Sequence, residues 1–172
     1  MRNHPFTIFA VLLVLLPWTP VASAQHATGN EQSGNPLAPF ERLIGGQWHI
    51  EGSYQEFEWG LGKQSVRSRG FFVIDGVPRL VSEGVWFWHP QEKKIKGVFT
   101  AIDMPVVFFD YTTRFEQDRM VSELLSFDAN GTGTAYVETW EFTDDTQYVW
   151  KLLKETVGGV QEVMSATYSR TH

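Results

Sequence analysis

The sequence predicts an all-β protein: an antiparallel up-and-down β-barrel of about nine to ten strands with a short N-terminal helix. Three observations carry this. From residue 47 onward, alternating segments rich in β-branched and aromatic residues follow one another, separated by short turn signals. No later segment has the length and 3.6-residue spacing of a packed helix. A meander of that many strands hides its edges fully only by closing on itself, with a two-sheet sandwich as the alternative.

The elements follow in chain order. Met1 to His4 carry the positive charge of Arg2, residues 5–18 form an apolar run, and Ala22-Ser23-Ala24 matches the small-residue cleavage pattern. Residues 1–24 therefore read as a secretory signal peptide cut after Ala24, because the run is short for a bilayer span and Pro17 and Pro20 break its end. Residues 25–36 are polar, small and aperiodic, and read as a disordered tether. Residues 37–172 read as one β-barrel domain. Pro39 opens a short helix with Phe40, Leu43 and Ile44 on one face, and Gly45-Gly46 stops it. Strands are expected at 47–54, 64–74, 78–88, 93–102, 105–115, 119–127, 133–142, 146–155 and 160–170, with a short extra strand at 55–60. Asp75-Gly76 carries a two-residue hairpin signature, and residues 128–133, DANGTG, carry turn chemistry.

Charge and composition narrow the function. Without residues 1–24 the chain has 13 Lys and Arg against 20 Asp and Glu, a net charge of −7. That acidity argues against nucleic acid and anionic lipid as partners. There is no cysteine, which excludes disulfides, thiolate chemistry and Cys-based metal sites. With the signal peptide, the expected location is periplasmic or secreted, with no membrane insertion after cleavage.

Strand parity assigns candidate site residues. Leu80, Ser82, Gly84, Trp86 and Trp88 share one face, with Phe87 on the other. Tyr136, Glu138, Trp140 and Phe142 share a face, as do Tyr148, Trp150 and Leu152. If the aromatic faces point inward, Glu138 is a carboxylate inside the barrel and needs a partner; Arg67, Arg69 and Arg114 are the candidates. The expected ligand site is therefore Trp86, Trp88, Tyr136, Glu138, Trp140 and Trp150, with Arg67 and Arg69 as polar contacts.

Gly46-Gln47-Trp48 after a short helix resembles the G-x-W signature of lipocalins and related calycins. In that superfamily the tryptophan closes the narrow end of the barrel, and a basic residue from the last strand stacks on it. The resemblance assigns these parts to Trp48 and Arg170. Nitrobindin-type barrels share this opening and have a strand count nearer to this one. The chain is also similar to small exported bacterial proteins of unknown function. A nitrobindin-type resemblance implies haem with an axial histidine near the last strands, where this chain offers His172, with Tyr168 and Met164 as substitutes.

Other chemistry finds little support. The remaining histidines, His26, His49 and His89, lie far apart in sequence, so no metal is expected. No G-x-S-x-G elbow occurs, and Gly60-Leu61-Gly62-Lys63 precedes no helix. No cofactor is expected. The favoured reading is an exported protein that binds a small apolar or amphipathic molecule. Two alternatives stay open: an isomerase, cyclase or hydrolase acting through Glu138 or Glu83, and an interaction protein, a homodimer or one that binds another partner, with a filled core and an apolar outer face around Phe87 and Phe109.

Overall fold

The computed structural model describes residues 34–171. The expected signal peptide and most of the expected tether lie outside them. Residues 34–36 belong to the described barrel unit. Asn35 Oδ1 accepts from the Leu37 N–H at 3.0 Å, and Asn35 Nδ2 donates to the Lys63 carbonyl at 3.2 Å.

Ten strands follow one 3-10 helix at Ala38–Leu43: β1 Gln47–Ile50, β2 Ser53–Trp59, β3 Ser65–Ile74, β4 Val77–His89, β5 Lys94–Ala101, β6 Val106–Glu116, β7 Arg119–Asp128, β8 Gly133–Phe142, β9 Gln147–Thr156 and β10 Gly159–Thr171. A short 3-10 turn, Leu61–Lys63, joins β2 to β3. Each strand pairs antiparallel with its sequence neighbour, and β1 pairs with β10, so the sheet is a closed barrel. The fold class is as the sequence predicts.

Two local expectations are corrected. The first strand ends at Ile50 rather than near residue 54, because Glu51-Gly52 turns the chain with Gly52 at φ +71°. Trp48 then sits opposite Gln55, and His49 opposite Tyr54. The second correction is in β4. Val81 is an extra residue between Ser82, which pairs with Gly70, and Leu80, which pairs with Phe71. This bulge flips parity, so Leu80 leaves the face of Ser82, Gly84, Trp86 and Trp88. A second bulge, at Val163 in β10, brings Met164, Ala166 and Tyr168 opposite Leu152, Trp150 and Tyr148.

The helix end of the barrel is packed shut. Phe40 and Leu43 are fully buried, and Phe40 meets Trp86 at 5.2 Å and Phe115 edge-on at 4.9 Å between ring centres. Trp48 is fully buried, and its Nε1 donates to the Leu43 carbonyl at 3.0 Å. The Arg170 guanidinium lies 4.5 Å from the centre of the Trp48 ring. Its Nη2 donates to the carbonyls of Arg42 at 2.6 Å and Ile44 at 3.3 Å. One side chain from β10 thus holds the turn, the first strand and the floor tryptophan together.

Arg170→Met should lower unfolding stability by at least about 2 kcal/mol, because it strands two carbonyls and removes the cation from the indole face. Arg170→Lys should fall between the two, since an ammonium cannot reproduce the planar fork. Urea denaturation of the three proteins checks the order.

Candidate functional site

The interior divides into two halves. Toward the helix end the inward side chains are Trp48, Phe57, Val66, Trp86, Met120, Trp140, Phe142, Tyr148 and Tyr168, all buried. They form a continuous aromatic stack: Trp140 on Tyr148 at 4.8 Å, and Tyr148 on Tyr168 at 4.9 Å. Toward the other end the inward positions are partly reached by solvent. Phe99, Phe109, Tyr111, Tyr136, Trp150, Leu152 and Ala166 are half-buried there, and Met164 is exposed. The barrel is closed by packing below and ends above in a mouth whose inward side chains are partly reached by solvent.

Glu138 sits at the boundary. Its neighbours on the inward face of β8 are Tyr136 toward the mouth and Trp140 toward the core. The pairing register places Glu138 between Ser122 of β7 and Leu152 of β9. The side chain is only 6% exposed. Trp140 Nε1 donates to its Oε1 at 2.9 Å, and Trp150 Nε1 donates to the same oxygen. The Tyr111 hydroxyl stands near enough to the carboxyl to lower its pKa. Beside it, the hydroxyls of Thr113 and Ser122 bond each other at 2.9 Å.

No cation answers this carboxylate: among the described residues, no ion pair reaches Glu138. Burial pushes its pKa up, and the bonds from Trp150 and Trp140 and the nearby Tyr111 hydroxyl offset this only in part. Burial and the nearby carboxylate likewise push the Tyr111 and Tyr148 hydroxyls well up, and Tyr168 up to about 12. These phenols therefore stay protonated at neutral pH.

The structure brings some of the expected site residues together and separates others. Glu138, Trp140 and Trp150 form one hydrogen-bonded unit: Trp140 is buried in the packed half, and Trp150, directly opposite it on β9, is half-buried and packs against the same core. Tyr136 lines the opening, where the Lys154 ammonium lies 5.7 Å from its ring centre. Trp86 is packing, 2% exposed, against Phe40, Phe57 and Phe99. Its Nε1 is a buried donor with no acceptor. Trp88 borders a depression near Pro36, Pro39 and Lys93, at the helix end and away from Glu138.

Arg67 and Arg69 do not contact Glu138. The inward residues of β3 are the buried Val66, Ser68 and Gly70, so both arginines point outward. There they pair with Glu58 and Glu56, Arg67 with Glu58 at 3.0 Å and Arg69 with Glu56 at 3.3 Å. Arg114 is also outside, at 2.7 Å from Glu116. Glu83 is exposed and cannot join Glu138 as a carboxylate pair. Phe109 faces inward beside Phe99 and Tyr111; the apolar outer face carries Val98, Phe108 and Leu125 instead.

Tyr111 and Phe99 were not among the expected site residues. The available signal was inward glycine. Gly84 leaves room for Phe99, whose Cγ would lie 2.2 Å from a Cβ there.

The side chains named as haem substitutes lie at different levels of the barrel. Tyr168 is stacked in the packed half, with its hydroxyl 3.5 Å from Gln55 Nε2, and Met164 is exposed at the rim. His172 lies outside the described residues. Among the described residues, no three His, Asp or Glu side chains gather as a metal cluster.

Glu138→Gln tests the uncompensated charge. A carboxyl whose folded pKa is raised contributes stability that is fully present below its unfolded pKa and is lost as pH rises through the folded one. Wild type should therefore lose stability relative to Glu138→Gln as pH climbs from the ordinary value of 4.5 toward neutrality. Urea midpoints of both proteins across this range check it. A difference that does not change with pH would contradict the assignment.

Compared with known proteins, this chain matches no family model and no curated protein, so its function is read from the geometry of the barrel.

Proposed function

We propose that this protein is an exported binding barrel that takes one small apolar or amphipathic molecule into its open half and holds the polar end of that molecule at Glu138. The observation that carries the reading is the half-exposed inward wall of Phe99, Tyr111, Tyr136 and Trp150 above a buried, hydrogen-bonded carboxylate. Ligand pockets have this composition, an apolar lining with a few placed polar groups. The export reading rests on residues 1–24. The Gly46-Gln47-Trp48 opening, with Arg170 against Trp48, supports a calycin-like ancestry, in which binding inside the barrel is the common use.

A second reading has one specific observation in its favour. A buried carboxyl with a raised pKa beside an opening is suited to general acid–base work. The two readings separate on Glu138→Gln. A binding barrel keeps its affinity for a neutral apolar probe, whereas an acid–base enzyme keeps binding and loses turnover.

The opening itself is tested at Ala166, an inward, half-buried residue opposite Trp150. Ala166 packs at the edge of the core, so Ala166→Phe should project a ring from there into the upper half. The neutral fluorophore N-phenyl-1-naphthylamine should bind wild type one to one and lose about tenfold or more of its affinity in Ala166→Phe, with the far-UV circular dichroism unchanged. Equal binding by both proteins would place the probe on the outer face and refute the reading.

A further inference from the structure

The carboxylate at the base of the opening has a set of partners that is incomplete in two ways. An ionised carboxylate offers about four lone-pair sites. Two are taken, by Trp140 and Trp150, whose indoles converge on Oε1, and the Tyr111 hydroxyl stands close by. All three neighbours are neutral. They satisfy hydrogen bonding but bring no positive charge, and a desolvated charge without an opposite one is costly.

The cations that could have answered it are engaged elsewhere. Lys154, at the mouth, lies over Tyr136, and Arg170 is bound to carbonyls at the floor. Arg79 is held by Asp103 at 2.8 Å. Arg67, Arg69 and Arg114 are outside, on their own glutamates. The rings of Trp150 and Tyr111 stand beside Glu138, with Phe99 5.2 Å from Tyr111 between ring centres, and aromatic faces carry negative electrostatic potential. A vacant acceptor site, an unanswered negative charge and the rings beside it all select for the same ligand feature.

We propose that the ligand is an organic cation, an amine with an apolar body, whose ammonium group takes the vacant acceptor site of Glu138 while its body lies against Tyr111, Phe99 and Trp150. This rests on the binding reading given above and names its ligand class. The ammonium supplies the counter-charge that the chain itself omits. A neutral alcohol of the same shape gains the hydrogen bond alone, and a carboxylate meets a like charge.

The test uses three probes that differ in the polar end: phenethylammonium, 2-phenylethanol and 3-phenylpropanoate. Their affinities for the purified protein are measured by isothermal titration at neutral pH. The ammonium should bind about tenfold or more tighter than the alcohol, and the carboxylate should bind weakest. Glu138→Gln should bring ammonium and alcohol to within a few-fold of each other. The comparison on wild type carries the test even if that variant fails to fold. Alcohol binding as tight as the ammonium would overturn the cation assignment and leave the binding barrel standing. Silence of all three probes, together with silence of N-phenyl-1-naphthylamine, would overturn both.

Discussion

Closure of the barrel between β1 and β10 is the constraint on which the rest depends. β1 is only four residues long, and three residue pairs join it to β10. So short a ladder needs support from outside the sheet. Trp48 and Arg170 face each other across it, and Arg170 ties both to the carbonyls at the end of the helical turn. Because the strands run as a meander, each hairpin hands its register to the next. Once the ring is closed, inward parity is settled around the whole circumference, apart from the steps introduced by bulges.

The division of the interior follows. The helical turn and Trp48 occupy one end, so the large aromatics that meet them pack there to exclusion of solvent. Farther along the same inward faces, rings such as Phe99, Phe109, Tyr111 and Tyr136 alternate with small or polar residues, Ser82, Gly84, Thr134 and Ala166 among them. Packing loosens there, and solvent partly reaches the inward side chains of the upper half. Glu138 falls where packing stops. Its Oε1 accepts from the buried Trp140 and from the half-buried Trp150, and Tyr111 stands beside the carboxyl.

Much of this was legible in the sequence, and the failures have physical causes. The strand pattern survives because alternation and turn chemistry are local. Glu138 was readable as inward because it stands between Tyr136 and Trp140 with no bulge in β8. The turn at Glu51-Gly52 was missed because its strands are short and only the glycine marks it. Leu80 was misassigned because one extra residue, Val81, leaves no mark on alternation read from a single strand. Arg67 and Arg69 were proposed as partners for a buried acid, yet their own strand argued otherwise. In Val66-Arg67-Ser68-Arg69-Gly70 the small residues occupy one face and the arginines the other, and the small face is the buried one. Trp150 as a donor to Glu138, with Tyr111 beside it, was beyond reach, because such a contact depends on the registers of several hairpins at once.

The central claim is that Glu138 is a desolvated carboxylate with hydrogen bonds but no counter-charge from its own chain. The most direct measurement is a carbon-13 NMR titration of the glutamate side-chain carboxyls, with the Glu138 resonance identified by its loss in Glu138→Gln. The account predicts a midpoint above the ordinary value of 4.5. A Glu138 midpoint at or below 4.5 would show that the carboxylate already has a positive partner or open access to water, and would contradict the account.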